Sequence, residues 1–331
     1  MMLPTGSSQT WNRIVLAAAL AACLSVAAPG ISRAATATVN FDFGSAAPLN
    51  PDTVATTSSP IYSTLQTTTE LDNSVMEFPT AESSSSAAPS TTGTVEITPK
   101  IGIGFDAVMG DRLKTYTIPV SYMFSRTLGI QAALPLVTAK TDRIGGGTRT
   151  ETGIGDFSLT VKHRFGSERV GAAFFTLLTA KFATGDADKG LGTGTYDIAL
   201  TEKVIKRFGE YRGTLMGGIT QPLNKPTILG SKVEYGTTLS YMAAVERTIG
   251  LPELWFGVKA SGLHAFQSKI SGLSQDNSLT TLDISPEFNY YFKRNASVNL
   301  GVIVPVYTDY ALAGGSNDRS VAVRFGVTSM F

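Results

Sequence analysis

The last thirteen residues of the chain, 319–331, alternate between two kinds of side chain. Val321, Val323, Phe325 and Phe331 share one parity, and mainly small or polar residues occupy the other. A hydrophobic period of two predicts a β-strand whose two faces contact different media.

Similar alternation continues along the chain from residue 95, with no helix-period segment between the strands. Nearly all the predicted strands exceed the roughly 9 to 11 residues that a tilted strand needs to cross hydrocarbon. The connections are alternately long and short, as in outer-membrane barrels with brief periplasmic turns and longer external loops. The sequence therefore predicts an all-β fold over residues 95–331, a closed antiparallel transmembrane β-barrel of about twelve strands in a bacterial outer membrane, with both termini periplasmic. The predicted strands are 95–107, 113–126, 128–140, 153–166, 169–184, 194–208, 211–223, 233–248, 253–268, 279–293, 296–309 and 319–331.

Residues 1–34 have the pattern of an export signal, with Arg13 before an apolar run and Ser32-Arg33-Ala34 as the cleavage site. The run is about fifteen residues, shorter than the roughly 20 of a membrane-spanning helix. The single cysteine, Cys23, is either one small residue of this signal, the favoured interpretation, or a lipidated cysteine after a lipobox-like Leu20-Ala21-Ala22.

Residues 35–94 form a low-complexity segment rich in Ser, Thr and Pro. Such a composition does not bury enough apolar surface to offset the entropy of ordering, so the segment is expected to be disordered. The alternative is that it folds into the barrel as a plug, anchored by its few aromatic residues.

The composition agrees with a membrane barrel and excludes one class of partner. Only 16% of the 331 residues are charged, 33 are glycine, and the formal net charge is +1. A near-neutral total argues against nucleic acid as a partner.

Strand parity assigns side chains to the two faces of the wall. The inward set has both signs of charge, which predicts cross-strand ion pairs in the lumen rather than a filter of one sign. Its large apolar members either fill a narrow barrel or form an apolar track for a hydrophobic solute. The predicted lumen-facing residues are Lys162, Arg164, Lys203, Arg207, Glu234, Glu246, Lys259, Asp283, Glu287, Arg324, Phe175, Met216, Met242 and Trp255.

The face that parity assigns to one charged residue conflicts with the environment expected there. Strict alternation directs Glu202 toward lipid, where a charge near the midplane is costly. A β-bulge near Glu202 or Lys203 is predicted to return it to water.

Two segments resemble a known family. Residues 152–165, Thr-Gly-Ile-Gly-Asp-Phe-Ser-Leu-Thr-Val-Lys-His-Arg-Phe, and residues 182–198, with Gly-Asp and Gly-Leu-Gly-Thr-Gly, are similar to the "GxGD…K.RF" and "PTGD…GLGTG..D" patterns of the outer-membrane barrel family of the meta pathway of phenol degradation. Ala183 stands where that family usually has proline. The resemblance implies a channel that takes up or exports small solutes such as aromatic compounds.

The acidic residues of these motifs lie next to predicted external loops. Asp156, Lys181 and Asp197 are expected at the channel mouth, where the two carboxylates are placed to pair with Lys181 or loop cations, or to coordinate Ca²⁺. A structural role in the turns is the favoured interpretation, and neighbouring glycines permit positive φ there.

The predicted function is passive passage of small solutes, with no residue performing chemistry and no cofactor or metal. The expected partners are the lipid bilayer, a small-molecule solute and the outer-membrane assembly machinery, with Phe331 as the C-terminal insertion signal. One alternative is a barrel hydrolase, but His163 and His264 are the only histidines and both have outward parity. The other is a structural barrel without transport.

Overall fold

The computed structural model describes residues 100–331 except 126, 143–147, 167–170, 229, 275–277, 293–295 and 311–318. The predicted signal peptide with Cys23 and the segment 35–94 lie outside these residues. Within the described part, no helix is long and apolar enough to cross a membrane.

The described chain forms an antiparallel sheet of thirteen strands and a smaller sheet of four. The large sheet runs in the order β2-β1-β17-β16-β15-β12-β11-β8-β7-β6-β5-β3-β4, and the pairing of β2 with β3 closes it into a barrel. The strands are β1 Lys100–Met109, β2 Leu113–Met123, β3 Leu128–Asp142, β4 Thr148–Ile154, β5 Phe157–Gly166, β6 Ala172–Phe182, β7 Asp197–Phe208, β8 Tyr211–Pro222, β9 Thr227–Ile228, β10 Ser231–Glu234, β11 Thr238–Ile249, β12 Leu251–Ala265, β13 Lys269–Ile270, β14 Leu273–Ser274, β15 Leu279–Phe292, β16 Ala296–Tyr310 and β17 Ala322–Met330.

The barrel wall has twelve strands because β4 and β5 run along β3 as one interrupted strand. The register passes from Ala133↔Ser158 to Leu136↔Ile154, so β4 and β5 carry one residue more than β3 over this interval. Pro135 has no N–H for the ladder, and its carbonyl accepts a hydrogen bond from the Gly155 amide at 2.8 Å. The twelve-strand closed barrel is confirmed, whereas the uninterrupted strand 153–166 is wrong.

The two ends of the barrel differ in their connections. At one end, called here the turn end, Gly209 and Glu210 join β7 to β8, and Gly250 alone joins β11 to β12. Gly209 and Gly250 have φ of 61° and 69°, which these tight reversals require. Lys100 and Met330 begin and end the described barrel at the same end. The opposite end is called the loop end.

Two long connections at the loop end, 223–237 and 266–278, form the four-stranded sheet β14-β13-β10-β9. The barrel strand β11 therefore begins at Thr238 rather than at the predicted residue 233. The prediction failed because the loop strand β10 precedes β11 closely, and strand periodicity does not distinguish a loop strand from the wall.

The outer surface of the barrel is an apolar belt, and the inner surface is mainly polar. Ile118, Leu178, Val258 and Leu300 are exposed, and each has at least one buried neighbour in its strand. Strict alternation along β16 would turn Tyr307 inward, but a register shift after Leu282 leaves its side chain exposed.

The bulge predicted near Glu202 is absent. Glu202 pairs with Thr176 on one side and Gly217 on the other, and the register of β7 continues unbroken through both ladders. Its side chain is exposed on the outer face, midway along the strand.

Candidate functional site

At the loop end, three predicted mouth residues come together inside the barrel. The Lys181 ammonium of β6 lies 2.5 Å from the Asp197 carboxylate, which opens β7, and 3.6 Å from the Asp156 carboxylate between β4 and β5. All three side chains are buried. Lys181 also donates to the hydroxyls of Thr193 and Thr195, so the ammonium joins the wall to the connection 183–196.

The Asp156 carboxylate holds this connection against the inner wall. It accepts hydrogen bonds from the amides of Gly185 at 3.0 Å and Thr193 at 2.7 Å, and from the Thr193 hydroxyl at 2.8 Å. These bonds and Lys181 engage both carboxylate oxygens, which supports the turn role rather than a Ca²⁺ site. Among the described residues, no group of three or more His, Cys, Asp or Glu side chains is arranged to hold a metal.

Two glycines allow the connection to approach so closely. A Cβ on Gly192 would lie 2.5 Å from the Asp156 Oδ1 and 2.7 Å from the Gly185 Cα. Leu191 between them is buried against Val137 and Ala139 of β3. The connection 183–196 is therefore packed into the loop end, and we call it the inner loop.

Tyr235 borders the same network from the connection between β10 and β11. Burial raises the pKa of the Tyr235 phenol to about 12, and the charges of Asp197 and Asp156 add to this rise. The phenol is therefore neutral at ordinary pH.

At the turn end, two arginines flank one aromatic ring. The guanidinium carbons of Arg207 on β7 and Arg212 on β8 each lie 4.9 Å from the centre of the Trp255 ring on β12. Arg212 also donates to Glu246 at 2.6 Å and to the Tyr291 hydroxyl at 2.9 Å. Because β8 and β15 are not neighbours in the wall, the last bond crosses the interior.

A second aromatic ring carries two cations in the same half of the barrel. The Arg164 guanidinium carbon and the Lys203 ammonium lie 5.4 and 5.3 Å from the centre of the Phe175 ring. Phe175 belongs to an apolar cluster with Met123, Ala173, Leu177 and Ile205, against which Met330 of the last strand packs. The interior of the turn half thus combines apolar surface with cations placed over aromatic faces.

The remaining charges pair along the interior wall. Lys259 contacts Glu287, Arg324 lies 3.0 Å from Asp106, and Arg319 forms a two-pronged contact with Asp283 at 2.7 and 2.8 Å. Mixed ion pairs therefore line this side of the barrel.

The other residues predicted to face the lumen differ in how deeply their side chains are buried. Lys162 and Met242 are buried, whereas Met216, in register with Lys203 and Met242, is only partly buried. Arg207 is exposed near the turn end. The full predicted set that lies in the barrel wall is Lys162, Arg164, Lys203, Arg207, Glu246, Lys259, Asp283, Glu287, Arg324, Phe175, Met216, Met242 and Trp255.

Glu234 is the exception, because the structure places it in the loop sheet rather than in the barrel wall. Its carboxylate lies 2.7 Å from the Lys225 ammonium, and that hydrogen bond lowers the pKa of Glu234. The prediction followed from extending the barrel strand five residues too far toward the N-terminus, since β11 starts at Thr238.

Several residues of the site were not predicted as such. Thr193 and Thr195 are buried members of the mouth network, and Tyr291 belongs to the turn-end network through its bond with Arg212. Asn289 has the inward parity that the strand pattern predicts, and it donates to Glu246 at 2.9 Å. A period of two assigns a face but not the partner across a barrel. Arg319 was likewise missed because it precedes the regular part of β17.

The two histidines do not form a catalytic arrangement. His163 is exposed on the outer face, and its ring centre lies 5.9 Å from that of Phe165. His264 contacts Thr280 at 2.8 Å on the same outer surface. Neither approaches a serine together with a carboxylate in the contacts described, so the geometry gives the hydrolase alternative no support.

Comparison with known proteins gives structural likeness only. No family model and no curated protein matches the chain. Among solved structures, the COG4313 outer membrane channel from Pseudomonas putida F1 is similar at a TM-score of 0.57 and 12% identity, over 74% of this chain and 100% of that one. The KdgM porin matches at 0.44 and 8%, over 70% and 99%, and the NanC porin at 0.43 and 9%, over 69% and 98%. At this identity the first match shows a shared barrel fold.

Proposed function

We propose that this protein is a bacterial outer-membrane channel for the passive passage of small solutes, with hydrophobic or aromatic compounds as the favoured class. The observation that carries the proposal is the contrast between the two faces of one closed wall, an apolar belt outside and mainly polar, charged lining inside. A barrel hides its backbone polar groups from lipid through its ladder, and such a wall separates hydrocarbon from a polar interior.

The orientation proposed follows from the connections. Short turns face the periplasm in outer-membrane barrels, and both ends of the described barrel lie at the turn end. We therefore place both termini in the periplasm. Phe331 is exposed, and its backbone pairs with Ile101 of β1 at 2.8 and 3.2 Å, which leaves the ring available as the terminal signal for the assembly machinery.

The solute class follows from the turn half of the interior. Trp255 and Phe175 each carry two cationic groups, and an apolar cluster adjoins Phe175. An aromatic solute finds flat apolar contacts there, while the cations favour anionic substituents such as carboxylates. Weak contacts at several points suit passage, since a solute must also leave. The fold shared with the Pseudomonas putida channel and the motif resemblance to the phenol meta-pathway family agree with this proposal.

Planar-bilayer recording of the purified full chain tests the function. Stepwise conductance is expected, together with reversible current block by benzoate that exceeds the block by hexanoate of equal charge. In Trp255→Leu the benzoate preference should fall severalfold while the conductance steps persist, and Val258→Leu on the outer face of the same strand is the control. Absence of steps from correctly folded protein would support the structural alternative and contradict the channel.

A further inference from the structure

Among the described strands, the outer belt contains one carboxyl group at mid-height, that of Glu202. Glu202 lies five residues from the first residue of β7 and six from the last. Leu200 and Ile198 on the same face are exposed apolar side chains. Other charged side chains of the outer face lie near the ends of the described strands, such as Lys206 and Arg247 near the turn end and Lys114 near the loop end.

The contacts of Glu202 within its own barrel are few. The Thr176 hydroxyl on β6 lies 2.9 and 3.0 Å from the two carboxyl oxygens, so one hydroxyl serves both. No described cation forms an ion pair with Glu202, and Lys206 on the same face lies over the Phe208 ring. On the other side, a Cβ added to Gly217 would meet no atom within 4 Å.

This arrangement is costly in a membrane. Lipid tails offer no hydrogen bonds, and a carboxyl group has more acceptor positions than one hydroxyl can fill. Because the register excludes a bulge, the side chain stays on this face. The missing hydrogen bonds must come from whatever covers the face.

We propose that the outer face of β6, β7 and β8 is an interface between two copies of this chain within the membrane. The face is self-complementary, because Thr176 and Glu202 occupy register-paired positions on neighbouring strands. A two-fold axis along the membrane normal, passing between β6 and β7, sets Glu202 against Thr176 of the partner subunit and repeats the contact in reverse.

The surroundings suit close approach of the second copy. Gly217 leaves an open notch beside Glu202, and small residues allow membrane-embedded surfaces to pack tightly. Phe174, Leu178 and Leu200 are exposed around the pair and supply the apolar surface. Each carboxyl group is then enclosed by hydroxyls and apolar side chains instead of lipid.

Disulfide cross-linking in membranes tests the interface in the full chain. In a Cys23→Ser background, Leu200→Cys places a thiol two residues from Glu202 on the same face, and Val323→Cys on β17 is the matched control on the opposite side of the barrel. We expect a cross-linked dimer from Leu200→Cys at least tenfold in excess of that from Val323→Cys. Equal yields, or none from either, would overturn the proposal.

Two further variants test whether the Glu202 carboxyl group itself holds the two copies together. Adding Glu202→Leu should reduce the Leu200→Cys cross-link at least tenfold, whereas Glu202→Gln, which keeps polar atoms at the site, should retain most of it. Heat-modifiable migration verifies that each barrel is folded. Undiminished cross-linking in Glu202→Leu would overturn the role of the carboxyl, and cross-links only to a different protein would overturn the second copy as occupant. Single-barrel conductance should be unchanged in Glu202→Leu, so this proposal and the channel function fail independently.

Discussion

Arg207 and Trp255 are stacked inside the turn end of the barrel, with 4.9 Å between the guanidinium carbon and the ring centre. Arg207 is exposed and pairs in register with Arg212, whose charge is balanced by Glu246 at 2.6 Å. None of the described carboxylates forms an ion pair with Arg207. It therefore contributes a positive charge to the opening that ions must pass.

Replacing Arg207 with glutamine should shift the selectivity of the channel toward cations. The charge is lost while the length of the side chain is largely kept, so the change reports electrostatics. Reversal potentials across a potassium chloride gradient measure the shift. Lys206→Gln, on the outer face of the same strand, should leave the potential unchanged, and an equal shift in both variants would contradict a position for Arg207 in the ion path.

Removing the Asp156 carboxylate should release the inner loop. Asp156→Ala leaves Lys181 with one carboxylate partner and frees the amides of Gly185 and Thr193. Leaving a buried amide without its acceptor costs about 1–3 kcal/mol, so we expect a clear fall in denaturation midpoint and faster hydrogen exchange at those amides. Lys189→Ala, which removes the exposed ion pair with Asp186 in the same loop but keeps the hydrogen bond from the residue 189 amide to Asp186, should change neither. Slow exchange retained in Asp156→Ala would show that the carboxylate does not hold the loop.

Adding a methyl group at Gly192 should displace the inner loop through a steric clash. Its Cβ would lie 2.5 Å from the Asp156 Oδ1, which forces the loop or the carboxylate to move. Gly192→Ala is therefore expected to lower the denaturation midpoint and to add fluctuations to the open-channel current. Gly171→Ala is the control, because no atom lies within 4 Å of its added Cβ and its φ is not positive. Equal midpoints in the two variants would contradict the tight packing of the inner loop.

The sequence predicts the features of the barrel that depend on local interactions, and it misses those that depend on contacts between strands. Strand number and the two faces follow from a period of two, which is local. The bulge at 155–156 was missed because it depends on Pro135 of the neighbouring strand. Glu234 was misplaced because β10 lies close before β11 in the chain. Contacts across the barrel, such as Arg212 with Tyr291, depend on how twelve strands close and leave no signal in a single strand.

Alkaline pH should weaken the loop end through Tyr235. Its pKa rises from 10.0 to about 12 in the folded protein, so the folded state keeps the phenol proton longer than the unfolded chain does. The stability this contributes is present below pH 10 and is lost as the pH rises toward 12. Tyr235→Phe should show a smaller fall in denaturation midpoint over that interval than the parent chain. Identical pH profiles would contradict the burial of the phenol.

The proposed channel requires a wall with lipid on one face and a polar interior on the other, and a nitroxide scan of residues 256–261 in β12 tests this directly. Single-cysteine variants in liposomes are labelled one at a time, and collision rates with oxygen and with a water-soluble nickel chelate are compared. We predict a period of two, with labels at Phe256, Val258 and Ala260 favouring oxygen and labels at Gly257, Lys259 and Ser261 favouring the chelate. Equal access of the chelate to both faces would contradict the account.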